Sequence, residues 1–288
     1  MAPENVLAGY VPDDRGRDAL ALALLLKRST RGRLTVANVQ PLAWSAPGPA
    51  KAEEWAWRAY LREAAAAALA QARELAGDDA EYVAHFRRGS GRGLMELARR
   101  RGADAVVIGS APGGARGRIT LGSTADQLLH ASSVPVLLAP RGYGDDPPEA
   151  FERITVAYRR SRGCEAVVRA AVRTTAALGV PLRLVTLVVG ARGGAERDLL
   201  TRLSDRAAAD LRLAARGPRR RSAVEVEVEV LEGRTVAQAL GTTSWLRGEM
   251  IICGSSGSGP LRRVFLGDTS IKIVKAAPCP VMVLTRQL

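Results

Sequence analysis

The chain has 288 residues, 47% of them hydrophobic and 25% charged, which is typical of a globular protein long enough for two domains. No apolar run is long enough to span a bilayer, and the N-terminus has no basic start before an apolar segment. We therefore expect no membrane partner and a cytoplasmic location. The three cysteines, Cys164, Cys253 and Cys279, lack metal-ligand spacing and are expected to be reduced thiols.

The formal net charge is +13 and the isoelectric point is near 10.7, so polyanions should be attracted. One basic run, residues 99–101, ends a predicted helix, where cations favour the negative end of the dipole. Another, in residues 216–221, flanks Gly217 and Pro218 and is predicted to be a linker before a strand. Two explanations of these basic runs stay open: the arginines are solvated on the surface, or they bind an anionic partner. No interleaving of aromatic and basic residues marks a single-strand platform, so we expect only weak, non-specific polyanion binding.

Strand and helix patterns alternate along the whole chain. In the first half the predicted strands are 6–10, 34–39, 82–86, 105–108 and 134–139, and the predicted helices are 18–27, 53–75, 91–101 and 123–130. In the second half the predicted strands are 154–158, 182–189, 224–231, 250–253 and 281–284, and the predicted helices are 165–178, 195–215, 235–240 and 269–276. This alternation predicts a parallel sheet covered on both faces. The strand 224–231 alternates Val and Glu, so it is expected near a sheet edge.

Two stretches are variants of one phrase. The first begins at Val106 and reads VVIGSAPGGARGRITLGSTADQLLHASSVPVLLAP; the second begins at Ile251 and reads IICGSSGSGPLRRVFLGDTSIKIVKAAPCPVMVL. Three matched pairs are each 145 positions apart: Gly109 and Gly254, Gly122 and Gly267, Pro135 and Pro280. This constant separation predicts two copies of one domain, over residues 1–142 and 151–288. Residues 143–150, with two aspartates and two prolines, are predicted to be the linker.

The glycines and hydroxyls of this phrase fall where parallel sheets bind ligands, at the carboxyl ends of strands. Gly109 ends the fourth strand, and Gly122, Ser123 and Thr124 open the next helix. Glycine allows close backbone approach, a hydroxyl can donate to a phosphate oxygen, and the helix end carries partial positive charge. A simple helix cap uses the same residue types. The pattern alone therefore leaves both an anion site and a plain cap open.

The whole phrase resembles the loop of the universal stress protein family, which reads Gly, two residues, Gly, nine residues, Gly, then Ser or Thr. The second copy fits this spacing with Gly254, Gly257 and Gly267, but Asp268 replaces the hydroxyl residue. In the first copy Gly109, Gly122 and Ser123 fit, whereas Pro112 stands at the second glycine and Gly113 follows it. The resemblance covers nearly all of both halves.

This resemblance implies two tandem Rossmann-like (adenine nucleotide alpha hydrolase-like) domains, each with a five-stranded parallel sheet. It also implies that the domains pair about a pseudo-two-fold axis through their last strands. Some members of the family bind ATP. The resemblance therefore implies ATP or AMP as a ligand, with Mg²⁺ only alongside a nucleotide.

The nucleotide-binding members carry an aspartate at the end of the first strand, which contacts the adenine side of the ligand. Val11 and Arg159 stand at that place here, so neither half offers the carboxylate. The first half is expected to hold the nucleotide, because Asp268 brings a negative charge to the second anion site. Arg116 and Arg118, in the loop before Gly122, could close over the phosphate, and a solvated loop is the simpler explanation for them. The candidate nucleotide-binding residues are Val11, Val39, Gly109, Gly113, Gly122, Ser123 and Thr124 in the first half and Gly254, Gly257, Gly267 and Thr269 in the second.

Catalysis is poorly supported by the sequence. His85 lies in an alternating strand and His130 ends a helix, and neither has a nucleophile close in sequence. We find no metal-ligand cluster and no phosphate-loop lysine, so we expect a protein that is not an enzyme. Three functions stay open: a nucleotide-sensing stress regulator with an unknown protein partner, an interaction module with degenerate pockets, and a weak ATPase. Further pairing into a homodimer also stays open.

Overall fold

The computed structural model describes residues 3–41, 51–160, 162–190, 194–221, 224–254 and 268–284. In the first half the strands are β1 Asn5–Gly9, β2 Arg33–Gln40, β3 Glu81–Phe86, β4 Ala105–Gly109 and β5 Val136–Ala139, and the helices are α1 Asp14–Thr30, α2 Lys51–Ala76, α3 Ser90–Arg101 and α4 Ser123–Ala131. After a short 3₁₀ helix at Tyr143–Asp145, the second half has strands β6 Arg153–Ala157, β7 Leu182–Val189, β8 Val226–Gly233, β9 Glu249–Gly254 and β10 Val281–Leu284, and helices α5 Arg162–Leu178, α6 Gly194–Arg221, α7 Val236–Leu240 and α8 Asp268–Ala276. Every predicted strand and helix is present.

All ten strands form one sheet in the order β3-β2-β1-β4-β5-β10-β9-β6-β7-β8. Neighbours are parallel except β5 and β10, which pair antiparallel with Met282 opposite Leu137. The last strands of the two halves therefore pair, as predicted. The strand order is the one that a pseudo-two-fold arrangement would give, although the axis itself stays a prediction. The alternating strand β8 lies at an edge of the sheet, which confirms the placement from its pattern.

The helices cover both faces of the sheet. Val6 and Ala8 of β1 pack with the buried leucines of α1 on one face, together with residues of α2, α5 and α6. Leu7 packs on the opposite face, among residues of α3, α4, α7 and α8. This is the two-sided burial that the near-continuous apolar strands predict. None of the helices in the described ranges combines the length and apolarity that crossing a bilayer requires.

The start of α1 is packed closely against the loop that follows β1. The Asp13 side chain caps α1 by accepting a hydrogen bond from the Arg15 N–H. A Cβ at Gly16 would lie 1.9 Å from the Val11 carbonyl oxygen, so only glycine permits this approach. The loop and the first turn of α1 are thereby held in place at the carboxyl end of β1.

The prediction of a linker at residues 216–221 is wrong. Helix α6 continues through Gly217 and Pro218 and ends at Arg221. Proline removes its own helical hydrogen bond, and Pro218 lies near the end of α6, so this loss is confined to the last turns.

Candidate functional site

A cavity of about 290 Å³ lies at the carboxyl ends of the parallel strands of the first half. This is the edge at which α/β sheets bind ligands. Six of the seven residues predicted for the first half line it, namely Val11, Val39, Gly109, Gly122, Ser123 and Thr124. The structure thus brings together residues that are separated by up to 113 positions in the sequence.

The other predicted residues lie elsewhere. Gly113 is exposed, has a φ of 86° and stands on the loop outside the cavity wall. In the second half, Gly254 ends β9 and Thr269 lies in the first turn of α8. The remaining two, Gly257 and Gly267, lie outside the described residues.

Two helix N-termini meet at the cavity. Helix α4 begins at Ser123, and the Gly122 that precedes it offers no side-chain capping bond. Helix α3 begins at Ser90 after Gly89, again with no side-chain cap, and Ser90 lines the same cavity. The first N–H groups of a helix lack intrahelical partners and carry partial positive charge. Of these groups in α3, the Arg92 N–H donates to Gln127 Oε1 at 3.2 Å, which leaves the first turn of α4 as the more open anion site.

The hydroxyls of Ser90 and Thr124 are hydrogen-bonded to each other. The bond connects the start of α3 to the start of α4. Only one of the two hydroxyls donates in it, so the other O–H can still donate to an anion. Gly91 permits the approach of the two helices, since a Cβ there would lie 2.9 Å from the Thr124 carbonyl oxygen. The sequence predicted the helix α3 but not its place in the cavity wall. The glycines on either side of Ser90, at a strand-to-helix junction, were the available signal.

Arg15 contributes the cation of the cavity wall. Its guanidinium lies 2.6 Å from the Asp13 carboxylate. Burial raises the pKa of Asp13, but the hydrogen bond and positive charge of Arg15 outweigh it, so this pKa lies below its ordinary value. The pair uses Nε and Nη2 of Arg15, so the Nη1 N–H groups would be the ones to donate to a phosphate.

The loop arginines considered as phosphate ligands do not line the cavity. Arg116 forms an ion pair with Asp145 in the segment between the two halves. The loop folds back on the residues after β5, because the Gly117 N–H donates to the Arg141 carbonyl at 2.8 Å and the Arg141 N–H donates to the Arg118 carbonyl at 3.0 Å. This turn directs the loop away from the helix starts.

The cavity wall also has apolar side chains. They are those of Val11, Ala37, Val39, Leu94 and Ile108, and Tyr10 lines the cavity as well. Val11, which the resemblance puts at the place of the family aspartate, thus lines the cavity, and its match to that aspartate stays a prediction. Asp13, two positions later, borders a different cavity instead.

In the second half, a cavity of about 570 Å³ lies between α5 and α6, with Val168, Val172 and Leu213 among its walls. At the end of β9, the Ser270 hydroxyl of α8 donates to the Gly254 carbonyl at 3.0 Å. Asp268, at the first residue of α8, forms an ion pair with Lys272 at 2.6 Å.

The two histidines lie away from the first-half cavity. His85 Nε2 is 3.6 Å from a Glu96 carboxylate oxygen. His130 Nδ1 is 2.7 Å from the Asp126 carbonyl oxygen in its own helix. Within the described ranges, no three His, Cys, Asp or Glu side chains converge as metal ligands would.

The comparisons with known proteins agree with this architecture. The family model described as "Universal stress protein family" matches residues 3–140 and again 150–285. The chain is 33% identical to the universal stress protein Rv2319c of Mycobacterium tuberculosis over 97% of this chain and 99% of that protein. A crystal structure of a universal stress protein from Archaeoglobus fulgidus superposes with a TM-score of 0.67 at 20% identity, covering 98% of this chain and 99% of that one. A half-length match, with a TM-score of 0.37 at 22% identity over 49% of this chain and 100% of that one, is a universal stress protein in complex with cAMP.

Proposed function

The chain belongs to the universal stress protein family, and we propose that its first half binds an adenine nucleotide as the signal of a non-catalytic stress-response regulator. The observation that supports this is the cavity at the strand ends, which combines helix starts without side-chain caps and several apolar wall residues. Helix N-termini bind phosphate, and apolar walls with a few convergent polar groups are typical of small-molecule sites.

The phosphate would bind at the start of α4, where Ser123, Thr124 and free N–H groups converge and Arg15 supplies a positive charge. The base would lie against Val11 and Val39. The volume of about 290 Å³ is at the lower end of the roughly 300–1,000 Å³ of small-molecule pockets. AMP therefore fits better than ATP, whose outer phosphates would extend beyond the wall.

Mg²⁺ would enter only with a nucleotide that has more than one phosphate. The side chains that line the cavity include no carboxylate, and Mg²⁺ at nucleotide sites is held by carboxylates, phosphate oxygens and water. The phosphates and water would thus supply the ligands. The cavity itself would not hold the ion.

We propose binding without hydrolysis. A general base has to lie within hydrogen-bond reach of the attacking water, and no His, Asp or Glu side chain lines the described cavity. This favours a regulator over a weak ATPase. The signal would pass to a protein partner through the occupied or empty state of the cavity.

For the second half we propose an interaction module. Its α8 begins with a carboxylate, Asp268, at the position where the first half has Ser123, and a carboxylate opposes a bound anion. The expected stoichiometry is one nucleotide per chain.

Calorimetric titration of AMP and ATP into the full chain tests the proposal, after mass spectrometry of any small molecules that copurify. One site per chain with tighter binding of AMP supports it. Two sites would assign nucleotide binding to both halves. No binding of either nucleotide would favour the interaction module throughout, and release of ADP and phosphate from ATP would favour the ATPase.

A further inference from the structure

The cavity between α5 and α6 has apolar walls that the described chain covers only in part. Its volume of about 570 Å³ is within the roughly 300–1,000 Å³ that is typical of small-molecule sites. Val168 and Val172 of α5 and Leu213 of α6 are among the residues that line it. Leu213 is 52% exposed, so part of this apolar surface faces solvent. The cavity thus has the space and the apolar surface to hold a ligand.

Helix α6 packs less deeply than α2, its counterpart in the first half. Tyr10 and Tyr158 each follow the first strand of their half. The Tyr10 hydroxyl donates to Gln71 of α2 at 3.2 Å, whereas Tyr158 lines the cavity. Ala215 is the one buried residue of α6 among the side chains that the structure describes. The side chains that α2 buries are Leu61, Ala65, Ala68 and Ala72.

An apolar row and a cationic row run side by side along α5. Val168 and Val172 are one helical turn apart, and each is followed directly by an arginine, Arg169 or Arg173. All four residues line the cavity. Both arginines are exposed, and neither has an ion-pair partner within the described ranges. This arrangement suits a molecule with a hydrocarbon chain and an anionic head.

The other charged residues of the wall leave the positive charge in excess. Arg160 pairs with Asp210 of α6 at 3.0 Å, so these two charges offset each other. Glu165 is the remaining carboxylate of the described wall, against the two cations of Arg169 and Arg173. The excess positive charge is complementary to an anion.

The two cations are not a shared feature of the repeated domain. Strands β1 and β6 begin 148 positions apart, as do helices α1 and α5. By this separation, Ala21 and Leu25 stand where the second half has Arg169 and Arg173. Leu25 is buried, whereas Arg173 is exposed. The common fold therefore does not require the arginines, and substitutions there can test binding without removing the core.

We propose that the cavity between α5 and α6 binds a medium-chain aliphatic anion. The hydrocarbon chain contacts Val168, Val172 and Leu213, and each CH₂ group that it buries strengthens binding by up to about fourfold. The anionic head lies on Arg169 and Arg173. This site shares no wall residue with the first-half cavity, and the inference is independent of nucleotide binding there.

Calorimetric titration of octanoate, hexanoate, 1-octanol and octylammonium into the full-length chain tests the proposal. We expect one octanoate per chain, bound about tenfold more tightly than hexanoate, which has two fewer CH₂ groups. Octanoate should also bind more tightly than 1-octanol, with octylammonium weakest, and added salt should weaken octanoate alone among the first two, because salt screens exposed charges. Excess AMP should leave octanoate affinity unchanged. Absence of saturable octanoate binding, equal affinity for octanoate and octylammonium, or competition by AMP would overturn the proposal.

Substitutions at exposed positions separate the head from the chain. Arg173→Gln should weaken octanoate binding about two- to fivefold and Glu165→Gln should strengthen it by a similar factor, the range of an exposed ion pair, while 1-octanol binding stays as it is. Leu213→Gln should weaken both octanoate and 1-octanol. Arg99→Gln, which removes an exposed arginine outside the cavity wall, is the control and should change neither. Shifts of the same sign in Arg173→Gln and Glu165→Gln, or unchanged binding in a Leu213→Gln chain whose circular dichroism matches the parent, would contradict the assignment.

Discussion

The two halves differ at the amino ends of their fourth strands. In the first half Asp104, just before β4, is exposed and accepts hydrogen bonds from the N–H groups of Glu4 and Asn5 at 3.1 and 3.0 Å. In the second half Glu249, 145 positions later, is 1% exposed and lies between Arg153 and Arg183. Two copies of one domain can thus keep the same sheet while one position is an exposed hydrogen-bond acceptor in one copy and part of a buried ion-pair network in the other.

Arg183 is the centre of that network. Its guanidinium lies 2.7 Å from Glu249 and 3.1 Å from Glu229, and it stacks 4.6 Å from the centre of the Trp245 ring. Thr155 accepts a hydrogen bond from Arg183 and donates one to Glu249. The strand pairing places Leu7 and Thr35 of the first half at the positions of Thr155 and Arg183. The second half thus links four strands by charge, where the first half has one apolar and one small polar side chain.

The largest effect is expected from Glu249→Ala. Removal of one partner from a buried ion pair leaves the other charge unpaired and costs about 3–5 kcal/mol of the free energy of unfolding. Asp104→Ala is the matched control in the first half, with an expected cost of about 1 kcal/mol, since its hydrogen bonds are exposed. Urea denaturation of both variants measures the difference.

Thiol labelling reports on the opening of the second half alone, because all three cysteines lie there. Burial raises the pKa of Cys253 to about 12, so this thiol reacts at neutral pH only when the structure opens. Labelling of Cys253 should become faster in Glu249→Ala and not in Asp104→Ala. Equal destabilisation, or equal labelling, would show that the network does not stabilise the second half specifically.

The next largest effect is expected on nucleotide affinity, from the substitution Ser123→Asp at the proposed phosphate site. A carboxylate within roughly 4 Å of a phosphate costs about 1–4 kcal/mol at effective dielectric constants between 80 and 20. We therefore expect nucleotide affinity to fall by that amount in calorimetric titration. Unchanged affinity would place the phosphate away from the start of α4.

The reciprocal change, Asp268→Ser, should leave the first-half affinity as it is or create a second site. Its carboxylate is paired with Lys272, so removal also frees a cation near the helix start. A loss of binding in this variant would assign the working pocket to the second half and reverse the comparison.

A smaller effect is expected from the two glycines that end the fourth strands. A Cβ at Gly109 would lie 2.1 Å from the Arg15 carbonyl oxygen, so the backbone of α1 would have to move. A Cβ at Gly254 would meet Val167 Cγ2 at 2.7 Å, a side-chain atom that can shift more easily. We expect Gly109→Ala to lower the free energy of unfolding by about 1–3 kcal/mol, the usual cost of overpacking, and Gly254→Ala to cost less. Gly109→Ala should also weaken AMP binding, because the displaced backbone of α1 carries Arg15 with it. Equal costs would show that this packing does not distinguish the halves.

Sequence patterns were sufficient for the elements and for six of the sixteen residues of the cavity wall. Apolar strands between helices are local signals, and the glycine phrase identifies the fourth strand and the following helix. The choice of Arg15 over Arg116 was not predictable, because it depends on how the loop before Gly122 folds against the residues after β5. Helix α3 joins the site only through the tertiary approach of Ser90 to Thr124.

The ion pairs of the second half were hidden from the sequence. The Val-Glu alternation of β8 correctly indicated an edge strand with a solvated face, and Glu227 and Glu229 keep 46% and 38% of their side chains exposed. The pattern did not indicate that these glutamates also pair with Arg153 and Arg183 of neighbouring strands. Such pairing needs the register between strands, which single-strand periodicity does not contain.

The smallest effect is expected at the joint between the halves, where the Asp18 carboxylate accepts from the N–H groups of Gly142 and Gly144 at 2.9 and 2.7 Å. Burial raises the pKa of Asp18 above its ordinary value of 3.8 and outweighs these hydrogen bonds. The folded chain therefore holds this proton more tightly than the unfolded chain. The stabilising contribution is complete below the ordinary pKa and is lost as pH rises through the raised one.

Asp13 has the opposite sign, since Arg15 lowers its pKa despite burial. Its contribution is present above the ordinary pKa and is lost as pH falls through the lowered one. We therefore expect the difference in the free energy of unfolding between the parent chain and Asp18→Asn to shrink with rising pH. The difference for Asp13→Asn should shrink with falling pH. Urea denaturation of the three chains from below to above about pH 4 measures both slopes. Slopes of the same sign would mean that burial does not dominate at Asp18, and that its ionised form stabilises the joint more than its protonated form does.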